Sequence, residues 1–190
     1  MSTFLNLTNE LLRRLNEVQI DQADFPNVKN VQALAKDAIN SSIRQMLQDA
    51  QEWPFTLVTY EQTLAAGTNA YSFPADYSKA DWDTFYIKQL TSENNTPKKL
   101  KLITYDQYLS KFRSVEDLGG DNGRSDPDYV YLTQDTKFGV TPIPNAAYVI
   151  EYRYWKYPAD LTAYDDTAVI PDRFKHVIID GAMMYMMLFR

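Results

Sequence analysis

The 190-residue sequence contains no cysteine. That excludes disulfides, thiolate metal sites and a cysteine nucleophile, and it suits assembly in a reducing cytoplasm. Only one histidine, His176, is present, so neither a Cys-His triad nor a two-histidine zinc helix can be built. No run approaches the 18 consecutive apolar residues of a membrane-spanning helix. The opening MSTFLNLTNELLRRLNEV lacks the basic-then-apolar order of a secretory leader. A basic surplus is missing too: the formal charge is −6 and the isoelectric point near 4.8, which argues against a dedicated nucleic-acid binder. Neither G-x-x-x-x-G-K-[ST] nor G-x-G-x-x-G occurs, so nucleotide chemistry has no support.

What is abundant is aromatic. Fourteen Tyr, nine Phe and three Trp make up 14% of the chain. Tyrosine fits a half-buried pleated surface, ring inward and hydroxyl wet, so this composition points to extensive sheet. At this length a chain buries roughly 70% of its unfolded surface and needs neither metal nor disulfide to fold.

Periodicity divides the chain into three parts. Leu5, Thr8, Leu11, Leu12, Leu15 and Val18 recur at helical spacing, predicting a helix over 3–18. Pro26 follows a break, and Val31, Leu34, Ala35, Ala38, Ile39, Ile43, Met46, Leu47 and Ala50 predict a second helix over 28–52, closed by Trp53-Pro54. The two are expected to form an antiparallel hairpin. After Pro54 the period falls to two. Strands are expected at 55–64, 70–73, 80–90, 100–103, 129–132, 137–140 and 148–157, the last being the clearest alternation in the chain. A polar turn is expected over 91–97 and another at Gln134-Asp135-Thr136. Thr104 and Gln107 match a capping box ahead of a short helix over 105–112. Gly119, Gly120 and Gly123, among polar residues from 113 to 126, predict a mobile surface loop. Phe174, Val177, Ile178, Ala182, Tyr185, Leu188 and Phe189 form the stripe of a final helix over 171–190, with Met183, Met184, Met186 and Met187 nearly encircling its end. The expected class is α+β, with a helical bundle packed with a central, mostly antiparallel sheet or sandwich. Its parts are a helical hairpin (1–54), a β-rich domain (55–168) and a C-terminal helix returning to the bundle (169–190), as one compact unit.

Reactive constellations are few. His176 has Asp172 and Asp180 one turn away on the last helix, and a surface or interface role is expected of it. Asp117, Asp121, Asp126 and Asp128 crowd one loop, but the spacing departs from a calcium loop and no closing Glu follows. Asp160, Asp165 and Asp166 read as solvated in the same way. Lys99 and Lys101 are expected on one face of a strand, where paired lysines deter edge-to-edge association; Lys98 lies beside them, and Arg13-Arg14 read as a solvated helix face. Trp53 sits at the switch from helical to strand period and is expected in the core where bundle meets sheet. No catalytic, cofactor-binding or metal-binding residue is assigned.

The order of landmarks carries a resemblance. A helical hairpin ends in Trp53-Pro54-Phe55. Tyr71-Ser72-Phe73-Pro74-Ala75-Asp76-Tyr77, Pro127-Asp128-Tyr129 and Val140-Thr141-Pro142-Ile143-Pro144 follow. Tyr152 to Leu161, Ile170-Pro171 and Ile179-Asp180-Gly181-Ala182 close the series. This order resembles phage head-to-tail adaptor proteins, particularly the tail tubular adaptor of short-tailed phages, over nearly the whole chain. The resemblance implies a non-enzymatic neck subunit of the virion, assembled in the host cytoplasm as a ring, commonly of twelve copies. It implies contact with the portal protein on one side and tail nozzle or tube proteins on the other, with DNA passing through the lumen and no membrane partner. An acidic surplus suits such a conduit, since a wall attracting phosphates would hold the DNA. Related adaptors often continue past the last helix with a tail that reaches the portal, whereas this sequence stops at Arg190, leaving the docking segment unassigned. Alternatives from other classes are a neck or tail-completion protein of a long-tailed phage, a β-rich host-glycan module with Trp82 or Trp155 on an open groove, and an enzyme with His176 in a pocket.

Overall fold

The fold, described from a computed structural model, covers residues 2–50, 52–88, 97–134 and 136–188. The class is α+β, as expected, and the chain divides into two compact units, Met1–Thr56 with Tyr157–Arg190, and Leu57–Lys156. The segment 157–168, which the sequence reading places with the β-rich domain, belongs to the helical unit.

The helical unit is built on α1 (Phe4–Arg14), α2 (Asn30–Asp49) and α5 (Lys175–Leu188). Thr3 caps α1 by accepting from Asn6 N. Its end falls well before residue 18. Asn16 adopts φ 57°, Asn16 N donates to Arg13 O, and Glu17 N donates to Leu12 O. This pair of bonds is the Schellman stop, with Asn in the position usually held by glycine. Val18 is therefore 77% exposed instead of lying on the expected stripe. Phe4, Leu7, Leu11 and Leu12 fill the buried side instead. α2 stops at Asp49, short of the expected residue 52, and Ala50 is exposed beyond it. A 3₁₀ turn at Asp172–Phe174 precedes α5, so the regular helix starts at Lys175 and not 171. The face of α5 that is buried carries Ile178, Ile179, Ala182 and Met186; Val177 and Leu188, expected on it, are exposed, and Phe189 lies outside the described residues. These faces meet in one apolar core with Ile20, Phe25, Ala168 and Ile170.

Two asparagines tie irregular chain to this core by mimicking a strand edge. Asn9 donates to Ile20 O at 2.9 Å and accepts from Ile20 N at 2.7 Å. Asn40 does the same for Leu161, at 2.9 and 3.0 Å. Each amide satisfies one backbone donor and one acceptor that would otherwise compete for water.

The second unit is a β-sandwich. β1 (Leu57–Leu64), β8 (Tyr148–Lys156), β3 (Tyr77–Ile87) and β4 (Lys98–Lys99) form one sheet in the order β1-β8-β3-β4. β2 (Ala70–Ser72), β7 (Lys137–Thr141), β6 (Tyr129–Gln134) and β5 (Lys101–Leu102) form the other, in the order β2-β7-β6-β5. All pairings are antiparallel except β5 with β6. Ile150, Tyr152 and Tyr154 alternate inward along β8, as the sequence pattern requires. Phe85 stacks on Tyr152 at 4.6 Å, and Phe138 of the opposite sheet meets both rings at 5.5 and 5.6 Å.

Two expectations in this unit are corrected. Residues 98–102 are not one strand: the chain passes from one sheet to the other at Leu100, which is fully buried, so Lys99 and Lys101 sit on edge strands of different sheets. Residues 113–126 are not an open loop, since they form α4 (Arg113–Gly119) and a 3₁₀ turn (Gly120–Gly123). The cause is Glu116, which is buried and accepts from Tyr108 Oη at 3.0 Å and Thr141 Oγ1 at 2.5 Å. Nothing in the local composition announces that anchor, because its partners lie on α3 (Tyr105–Lys111) and β7. α3 carries the expected capping box, Thr104 Oγ1 accepting from Gln107 N at 3.2 Å and Gln107 Oε1 from Thr104 N at 3.1 Å. The expected turn at 91–97 lies, up to residue 96, outside the described residues, as do Leu90 and Asp135.

Candidate assembly surface

The charged groups flagged by sequence are distributed among structural partners. His176 is exposed on α5. Asp172 accepts from Ser2 N and Oγ at 2.6 and 2.8 Å, and Asp180 pairs with Arg14, so the two flanking carboxylates serve other groups. Arg14 of the expected solvated pair thereby links α1 to α5, as Lys175 does through Glu10.

The aspartates near 120 do not converge. Asp117 pairs with Arg113 at 3.6 Å along α4, whereas Asp126 and Asp128 both hold the Lys98 ammonium, at 2.5 and 2.7 Å. Burial opposes the Lys98 charge, but the two carboxylates outweigh it and raise its pKa. The Lys98 hydrogen bond in turn holds the Asp126 carboxyl below its ordinary range. The side chain of Asp121 lies outside the described residues. Asp160 pairs with Arg44 at 3.2 Å, and Asp166 accepts from Thr162 N and Ala163 N, both at 2.7 Å, closing a turn. Among the described residues no three His, Asp or Glu side chains are grouped as metal ligands. Nor is any described helix long and apolar enough to cross a membrane.

All three tryptophans are partly covered. Trp82 is partly buried: it stacks on Phe85 at 5.3 Å and meets Phe73 edge-on, packing against the sandwich core. Trp155 is half-buried, with the Lys79 ammonium 5.9 Å from its ring centre. Trp53 is half-buried rather than enclosed: it stacks on Phe55 at 5.3 Å, packs against the helical core and donates Nε1–H to Met46 O at 3.0 Å. The covering of its ring was legible in the sequence; the bond to Met46 was not.

What remains exposed is apolar surface and strand edge. On α3 and α4, Tyr105, Leu109, Val115 and Leu118 face outward, Leu118 at 88% exposure. Along α5, Val177, Met184, Met187 and Leu188 are exposed, while Met186 is enclosed and Met183 partly covered. The methionines therefore divide between core and surface, with unbranched, polarizable side chains that conform to irregular partners. Behind α3, Tyr131 is buried between two flat neighbours. Tyr108 stacks on it at 4.2 Å, and its cross-strand partner Gly139 leaves no Cβ beneath the ring. A Cβ at Gly139 would stand 2.3 Å from the ring, so this glycine is a packing requirement.

The geometry thus offers contact surface and edge backbone. No curated protein matches the sequence. The family model described as SU10 adaptor protein matches residues 2–190, and the chain belongs to that family of phage adaptor proteins.

Proposed function

We propose that this chain is a structural subunit of the phage neck, forming a closed ring that joins the portal to the tail and leaves a passage for DNA. The observation that carries this reading is the family match along residues 2–190. The outward apolar residues of α3, α4 and α5 support it, because a ring brings different patches of adjacent copies together and needs contact area on both. The net charge of −6 supports a passage that does not retain DNA. The portal sits on one side of the ring and nozzle or tube proteins on the other. Negative-stain microscopy of the purified chain, with and without portal, tests the proposal. Rings stacked on the portal are the expected image; a chain that leaves the portal bare at every concentration overturns it.

A further inference from the structure

β1 is an edge strand whose outward polar groups can be assigned one by one. Lys88 N donates to Val149 O at 2.7 Å, and Arg153 N donates to Thr84 Oγ1 at 2.9 Å. Odd-numbered residues of β8 therefore turn their backbone groups towards β3. Because these groups alternate along an antiparallel strand, Ile150, Tyr152 and Tyr154 turn theirs towards β1, opposite Gln62, Tyr60 and Val58. The N–H and C=O groups of Thr59, Glu61 and Thr63 consequently point off the sheet.

This edge differs from the others in the sandwich. β2 has three residues, and β4 and β5 have two each, whereas β1 has eight in unbroken register with β8. Natural edges are blunted by shortness, bulges, proline or lysine, and the β1 sequence LVTYEQTL has none of these. Its single charge, Glu61, is drawn to Lys88. At the same margin Tyr60, 39% exposed, extends the inner aromatic layer beyond Tyr152 and Tyr154, whose ring centres lie 5.8 and 6.2 Å away.

At the opposite margin of the same sheet β4 pairs β3, among the described residues, at Tyr86 and Ile87. A break in register between Asp81 and Tyr86 separates this pairing from the 79–81 stretch of β3 that is in register with β8. Both β1 and β3 run antiparallel to β8, so they run parallel to each other. Copies related by the small rotation of a ring keep that direction. The β1 edge of one copy can then meet the 79–81 stretch of the next, beside the exposed Asp83, with strand direction matched, a contact between unlike patches that propagates around a ring.

We propose that β1 is a subunit contact: its outward backbone groups at Thr59, Glu61 and Thr63 pair with the β3 margin of a second copy, continuing the sheet from subunit to subunit. This rests on the neck-ring reading above. The absence of cysteine makes the test clean, because single-cysteine variants report only the introduced site. Thr59→Cys and Asp83→Cys chains are mixed, assembled on portal and treated with a short bis-maleimide. The expected product joins one Thr59→Cys chain to one Asp83→Cys chain, with neither variant joining to itself. In parallel, Thr59→Pro removes an outward donor without touching the β8 ladder, and Thr59→Val keeps it. The proline variant is expected to lose at least tenfold in assembly, and the valine variant to assemble like the parent.

Hydrogen exchange resolves the outcome if the proline variant also loses its fold. The amides of Thr59, Glu61 and Thr63 in the parent are expected to exchange rapidly in the free subunit and slowly in the ring. Rings that form with these amides unprotected, or with Thr59→Cys joined only to portal or to itself, overturn the edge contact and leave the neck reading standing. A chain that forms no ring on portal overturns both.

Discussion

Ser42 of α2 and Gly181 of α5 face each other so closely that a methyl group on Gly181 would stand 2.4 Å from Ser42 Oγ and 3.3 Å from its Cβ. The same hydroxyl donates to Ile178 O at 2.9 Å, so it is held where the methyl group would need to be. Interior helical glycine forgoes about 1 kcal/mol relative to alanine, and here that loss accompanies close packing.

Gly181→Ala is therefore expected to destabilise the helical unit by about 1–2 kcal/mol, the overpacking cost exceeding the gain in helix propensity. Adding Ser42→Ala removes the obstructing hydroxyl and should recover part of the loss. Urea unfolding of the single and double variants measures both. A single variant more stable than the parent would mean that α2 and α5 separate without penalty.

Ser42 also marks where sequence reading stops. The three helices, the buried face of α2 and the alternation in β8 were legible because apolar spacing dictates them, whereas Val18, Val177 and Leu188, counted by the same spacing, are exposed. A serine on a buried helix face looks like solvent contact until its partner carbonyl is known. Glu116 is the sharper case. A glutamate near three glycines reads as loop, yet hydroxyls 8 residues back and 25 residues ahead make it the pin that folds α4 onto the sheet. The passage of residues 98–102 between sheets was likewise hidden, because either sheet accepts the same alternation. Of the candidate site residues, His176 is exposed, and Asp117, Asp126, Asp128 and Asp160 pair with basic side chains that sequence order does not reveal. The β1 edge was not singled out, since an edge strand and an internal one can share a pattern.

Glu116→Ala should cost about 2–4 kcal/mol, because the buried Tyr108 and Thr141 hydroxyls lose a charged acceptor together. Glu116→Gln keeps one acceptor oxygen and should lose less, about 1–2 kcal/mol. Chemical denaturation orders the two. Deleting 116–124 removes the same pin, so a truncated chain is expected to be less stable than the parent and not simply shorter by a loop. Variants at Glu116 that unfold like the parent would show that α4 is not anchored there.

Burial pushes the hydroxyl pKa values of Tyr131, Tyr152 and Tyr154 well above the ordinary 10.0, since a phenolate would lose its hydration inside the sandwich. A raised folded-state value means stability is fully present below the unfolded value of about 10 and is lost as pH climbs from there towards the folded values. Melting temperature should be insensitive to these groups near neutrality and fall steeply above about pH 10. Ultraviolet titration should show these three ionising only with unfolding. Ionisation of every tyrosine at about pH 10 with the fold intact would contradict their burial.

Trp53→Ala should cost about 2–3 kcal/mol, below the range for a fully enclosed tryptophan because its ring is only half-covered. Trp53→Phe retains a ring against Phe55 and loses the bond to Met46 O, at about 1 kcal/mol. Thermal melts of the two variants separate stacking from hydrogen bonding. Equal losses in both would place the stabilisation in the N–H group alone.

The most direct measurement is the mass of purified portal titrated with this chain. A neck ring should appear as one added step, a fixed whole-number multiple of 22.0 kDa that saturates. Gradual, unsaturating mass gain, or no gain with a properly folded chain, would contradict an adaptor that closes into a ring on the portal.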